Sequence, residues 1–177
     1  MKKFSIIAIL LICCFVSSYG RNPLIIVKSS AKPKEIMSKK VCASLKIDWS
    51  EAMYDNERKV ELEFDKDSVF IKKDCFNKFV NGFNGKSKGL IIDNEADNVT
   101  YDFILKVSNI DAHVGVIGFG PRHVAEVWGE LKVIDKASNE VVLQVKIDEA
   151  DEGEDYVRRE CFGKTFLDVG QRFAKIK

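Results

Sequence analysis

From Val41 the chain alternates apolar and polar residues. Val41, Ala43, Leu45, Ile47 and Trp49 interleave with Cys42, Ser44, Lys46 and Asp48, the period-two pattern of a strand with one buried face. After a polar link from Ser50 to Arg58, Val60, Leu62 and Phe64 alternate with Lys59, Glu61 and Glu63 and predict a second strand with a charged outer face. The period then lengthens. Val69, Phe76, Phe79, Val80 and Phe83 recur at three- and four-residue steps, the stripe of an amphipathic helix. Asp65 or Asp67 is placed to cap its start, and Asn81-Gly82 and Asn84-Gly85 to stop it. Leu90 to Ile92 predicts a short strand, and Tyr101, Phe103, Leu105 and Val107 set against Asp102, Ile104, Lys106 and Ser108 predict a longer one.

Ala125, Val127, Leu131 and Val133 form the next inward face, Lys136 to Asn139 turns the chain, and Val141, Leu143, Val145 and Ile147 return as the second arm of a hairpin. Asp148 to Asp155 reads as an acidic connector. Phe162, Phe166, Val169, Phe173 and Ile176 then mark a terminal amphipathic helix, within which Gly163 and Gly170 suggest close contact with the sheet. Two helices with one apolar stripe each can cover one face of a mostly antiparallel sheet. The expected fold is therefore α+β, a two-layer sandwich with two amphipathic helices packed on one face, spanning 41–177 as a single domain. Residues 21–40, with Pro23, Pro33, serines and lysines around Leu24 to Val27, read as an extended, weakly held leader.

Residues 1–20 have the organisation of a secretory signal peptide: Lys2 and Lys3, an apolar run from Ile6 to Val16, then Ser17-Ser18-Tyr19-Gly20. The apolar run is short of the roughly 20 residues a membrane span needs. Cys13 and Cys14 invite comparison with a lipobox, but Ile12 is not the small residue expected before a lipidated cysteine, and cleavage after Gly20 is preferred. This places the mature protein in the periplasm or outside the cell, with a membrane involved only if Cys13 or Cys14 is lipidated.

Charge narrows the partners. The whole chain carries a formal +1, and without Lys2 and Lys3 it has 26 basic residues against 27 acidic. Basic and acidic residues interleave, without the stripe that nucleic-acid binding uses, so no nucleic acid is expected. Export permits disulfides, and Cys75 and Cys161 can bridge if the two helices lie side by side, while Cys42 belongs to the first strand. The cysteine spacing matches no zinc pattern, and no cofactor motif is present.

The segment Gly115 to Pro121 has three glycines and a proline among apolar residues, and sits where two antiparallel strands would join. Its spacing fits neither a P-loop nor a dinucleotide fingerprint. Val116, Ile117 and Phe119, with Arg122 behind them, instead suit docking to a partner. Trp128, Ile104, Ile134 and Val142 fall on the strand faces opposite the core and suggest an outer sheet face covered by the leader, by another protomer in a homo-oligomer, or by a partner. His113 and His123 flank the glycine segment and are the only histidines. Brought together with Asp111 or Glu126 they could hold zinc or copper. Cys161 follows Arg158 and Arg159 near a helix start, where positive charge lowers a thiol pKa. The acids from Asp148 to Asp155 lack EF-hand spacing for calcium.

The strings KIDWSEAMY at 46–54, VWGELKVID at 127–135, VKIDE at 145–149 and CFGK at 161–164 resemble a group of small, uncharacterised exported proteins of Gram-negative gut-type bacteria. That resemblance implies an α+β sandwich similar to small domains of secretion and envelope-assembly proteins, and it implies export. It carries no catalytic residue across. The sequence thus points to an exported, non-catalytic binding or scaffolding module serving a protein or envelope component. Two other readings remain: a small metal-dependent hydrolase centred on His113 and His123, and a membrane-anchored lipoprotein assembly factor.

Overall fold

The computed structural model describes residues 22–117, 120–155 and 157–177; the signal segment, with Cys13 and Cys14, lies outside them, as does Phe119. In chain order the elements are β1 (Leu24–Ser29), α1 (Pro33–Met37), β2 (Cys42–Asp48), β3 (Met53–Tyr54), β4 (Arg58–Lys59), α2 (Val60–Phe64), α3 (Asp67–Lys86), β5 (Ile91–Ile92), β6 (Val99–Ile117), β7 (Gly120–Asp135), β8 (Glu140–Asp155) and α4 (Arg158–Phe173). The sheet runs β1-β8-β7-β6-β2-β5, with the small β3–β4 hairpin attached to β6. The β1–β8, β7–β8 and β6–β7 pairings are antiparallel, whereas β2 lies parallel to both β5 and β6. Helices α3 and α4 pack on one face, giving the α+β two-layer sandwich.

The inner face is the alternate set that the sequence pattern singles out. Ala43 and Leu45, Tyr101 to Val107, Leu131 and Val133, and Leu143 to Ile147 are buried at every second position. The helices complete the core with Ile71, Cys75, Phe79 and Phe83 from α3 and Phe162, Phe166, Val169 and Phe173 from α4. Phe103 is central: its ring meets those of Phe83 and Phe173 edge-to-face, each at 5.5 Å. The stripe of α3 is rotated from the expected one, and Val69 is left 72% exposed.

Several expectations change. Residues 60–64 form a helical turn rather than a strand. Val60 and Phe64, four apart, share its inner side, whereas Leu62 points outward and is 77% exposed. Helix α3 runs past Asn81-Gly82 and ends at Lys86, just after Asn84-Gly85; Gly82 instead lies against the backbone of α4 at Leu167. Gly170 in turn lies against the backbone of α3 at Phe79. Gly163 likewise faces the Asp74 and Lys78 side chains of α3, so the glycines mark a close helix–helix approach rather than the expected contact with the sheet at Gly163 and Gly170.

The acidic segment 148–155 is no loop either. It extends β8, with Ala150 opposite Val127 and Asp155 opposite His123, and Glu149 takes a positive φ of 58° where the register shifts. Within the segment read as a leader, Leu24 pairs with Ile147 in the sheet, and α1 buries Pro33, Ile36 and Met37. β1 forms one sheet edge and leaves Ile25, Ile26 and Val27 exposed.

The outer face of the sheet is a ladder of polar side chains. One cross-strand row runs Lys46, Ile104, Lys132, Gln144, and the next runs Asp48, Lys106, Glu130, Lys146. Lys132 pairs with Glu130 at 3.1 Å, Lys106 pairs with Glu51, and Ser44 donates to Asp102 at 2.6 Å. Ile104, Ile134, Val142 and Trp128 are half-buried among these groups. Val142 also packs against the hydrophobic core.

Candidate functional site

Strands β6, β7 and β8 outrun their core. The fully buried positions nearest this end are Ile110 on β6, Ala125 on β7 and Ala150 on β8. Helix α4 covers the sheet here, where Thr165 Oγ1 donates to the Ala125 carbonyl at 3.0 Å. Beyond, the β6–β7 ladder continues without a break in register from Asp111↔Glu126 to Ile117↔Gly120. At about 3.3 Å per residue the ribbon from Ile110 to Ile117 reaches roughly 20 Å. Val114, on the helix-side face of this arm, is 62% exposed. The glycine segment is thus the distal part of a β-ribbon: Gly115 pairs with Arg122, Val116 with Pro121 and Ile117 with Gly120. Trp128 lies nearer the body, opposite Asn109 and half-buried.

At the root of the arm, register brings three polar side chains together. Asp111 and Glu126 are direct cross-strand partners, and His113 lies two residues along β6 on the same face. Potential ligand atoms of Asp111, His113 and Glu126 all lie within 4.8 Å of one another. His113 Nδ1 is 3.6 Å from Glu126 Oε1. Asp111 Oδ1 accepts the Ala112 backbone N–H at 2.6 Å, which holds the carboxylate. Burial raises the Glu126 pKa above the usual carboxylate range; His113 opposes this, while Glu149, Asp111 and Asp151 add to it.

His123 does not join them. It pairs with Val114, whereas His113 pairs with Val124, so alternation sends the two rings to opposite faces of the ribbon. The metal centre holding both histidines that the sequence suggests is excluded by this register. The His123 Nδ1 is buried and has no hydrogen-bond partner among the described residues.

Cys75 and Cys161 lie buried on α3 and α4, where both are free thiols, as is half-buried Cys42. Charge does not activate Cys161. Burial pushes its thiol up to about 11, and Sγ donates to the Arg158 carbonyl at 2.6 Å. The Arg158 guanidinium is committed elsewhere, 2.9 Å from Glu63 and stacked 4.6 Å from the centre of the Tyr54 ring. Burial raises Cys75 as well. At pH 8, a thiol reagent is expected to label Cys42 first, and Cys75 and Cys161 only on unfolding. Stopped-flow labelling with site-by-site mass analysis checks this, and rapid labelling of native Cys161 would contradict the burial argument.

A second concavity lies at the opposite end of the molecule and is one the sequence pattern did not reveal. Lys34 of α1, Lys86 and Lys88 after α3, and Lys175 and Lys177 after α4 surround a floor that includes Met37 and Ile176, enclosing about 250 Å³. Ammonium groups around an apolar floor suit an anion with a short apolar portion. These lysines come from three segments distant in the chain, and only the fold brings them together.

No family model and no curated protein matches the sequence. Among solved structures, a PelC dodecamer from Paraburkholderia phytofirmans aligns at 12% identity over 87% of this chain and 98% of that one, with a TM-score of 0.45. A homolog of neuraminyllactose-binding hemagglutinin from Helicobacter pylori aligns at 13% identity over 84% and 87% of the respective chains, with a TM-score of 0.37. At such values these likenesses assign neither function nor assembly. Among the described residues, no helix is long and apolar enough to cross a membrane.

Proposed function

We propose that the protein is an exported, non-catalytic binding or scaffolding module whose β6–β7 arm engages a protein or envelope partner. One observation carries this reading: a paired ribbon continues from Ile110 to Ile117 beyond the helical layer that buries the rest of the sheet. Its sequence there is Val114 to Pro121, glycine-rich and apolar. Such a ribbon gains little from its own fold, and burial against a partner is what makes an apolar composition favourable. Export rests on the charged, apolar and small-residue succession of residues 1–20.

Replacing 115–122 by Asn-Gly shortens the arm to a two-residue hairpin turn and keeps Val114 opposite His123. The variant is expected to retain the circular dichroism spectrum and thermal midpoint of the parent. It is expected to lose, by about tenfold or more, the proteins crosslinked to the parent in intact cells. Undiminished crosslinking would place the partner surface elsewhere. Mass spectrometry of the mature protein is expected to find Arg21 at its N-terminus; a lipid on Cys13 or Cys14 would favour the anchored assembly factor.

A further inference from the structure

We propose that Asp111, His113 and Glu126 form a site for one divalent transition-metal ion, zinc in preference to calcium or magnesium, on the outer face of the sheet at the root of the arm. The donors are one imidazole and two carboxylates, which together suit zinc with one position left to solvent. The imidazole is what separates this set from a calcium site, since calcium and magnesium prefer oxygen alone.

The geometry is close to what the ion requires. Two donors about 2.0–2.1 Å from a tetrahedral zinc lie about 3.3 Å apart. The His113 Nδ1 to Glu126 Oε1 separation is 3.6 Å, and the Asp111 carboxylate is within 4.8 Å of both. Small side-chain rotations close the remaining gap. The backbone needs no movement, because all three residues sit on a paired ladder rather than on a loop. Access is also present: the His113 side chain is half exposed.

Charge favours the ion too. Glu149 and Asp151 on β8 repel the Glu126 carboxylate in the same sense as Asp111 does. A bound dication would offset this repulsion and tie β6 to β7 where the arm leaves the body. It would stiffen the ribbon at its base, independently of what the tip contacts.

Titration calorimetry tests the site, using the untagged chain stripped with a chelator and zinc chloride as the only ligand. One ion per chain is expected to bind. His113→Gln and Glu126→Gln are each expected to weaken binding roughly tenfold or more, as loss of a ligand should cost at least what loss of an outer partner does. His123→Gln, on the opposite face, is expected to leave it unchanged. Circular dichroism on each variant separates a lost ligand from a lost fold. Parent-like zinc affinity in a folded His113→Gln protein would overturn the proposal, and so would displacement of zinc by equimolar calcium. Both outcomes are independent of whether the arm binds a partner.

Discussion

Gly82→Ala is expected to destabilise the protein by roughly 3 kcal/mol or more, at the upper end of what overpacking costs. A methyl group at this position would fall well inside contact distance of the Leu167 carbonyl oxygen and lie 3.0 Å from its carbonyl carbon. Those are backbone atoms of α4, which cannot rotate aside as a side chain can. Relief requires the helices to separate, and Gly170, which would place a methyl 3.0 Å from the Phe83 nitrogen, shows the same intolerance from the other side. Separation would in turn loosen the Phe83–Phe173 contact beneath. Gly85, one turn further along α3, is the control. Nothing lies within 4 Å of its would-be methyl, so Gly85→Ala should gain the helix-propensity difference of about 0.5–1 kcal/mol. Urea unfolding of the two variants gives the comparison; equal stability would mean that the helices are not in close contact.

Phe103→Ala should cost about 3–5 kcal/mol, the range for emptying a buried aromatic position. Phe103 is fully buried, and it joins the sheet to both helices through its edge-to-face contacts with Phe83 and Phe173. Collapse into the void is restricted because its neighbours belong to three different elements. Leu62→Ala removes a similarly apolar side chain from the exposed side of α2 and should change stability by no more than about 0.5 kcal/mol. The pair separates position from hydrophobicity. Phe83→Ala combined with Phe103→Ala should cost less than the sum of the single changes, since each first removal already spoils the shared contact.

Where one strand face is buried and the other wet, periodicity in the sequence is enough to locate it. β2, the β7–β8 hairpin and the stripe of α4 are examples. Residues 60–64 escape because three alternating apolar positions fit a helical turn as well once Leu62 need not be buried. The β8 extension escapes because acids dominate its sequence and Glu149, at positive φ, interrupts the alternation, so its composition resembles a loop. Gly82 misleads for another reason: a glycine that ends a helix and one that admits a neighbouring helix look alike in sequence. The histidines show the limit for the site. Their proximity along the chain suggested a pair, but a one-residue difference in ladder position decides which face each ring takes. Asp111 and Glu126 were legible as nearby donors; that they face each other is a matter of register alone.

The pairing of Leu24 with Ile147 bears on the order in which the protein can be made. β6, β7 and β8 are consecutive and can zip together by local contacts. β1 emerges from synthesis first, yet its partner strand lies more than a hundred residues later, and α4, which brings Phe162, Phe166 and Phe173 into the core, comes last of all. Half-made chains therefore have neither the closed sheet edge nor the second helix that seals the core. The topology delays the native state until nearly the whole chain is available, which keeps it open to a pathway that moves unfolded polypeptide before letting it fold.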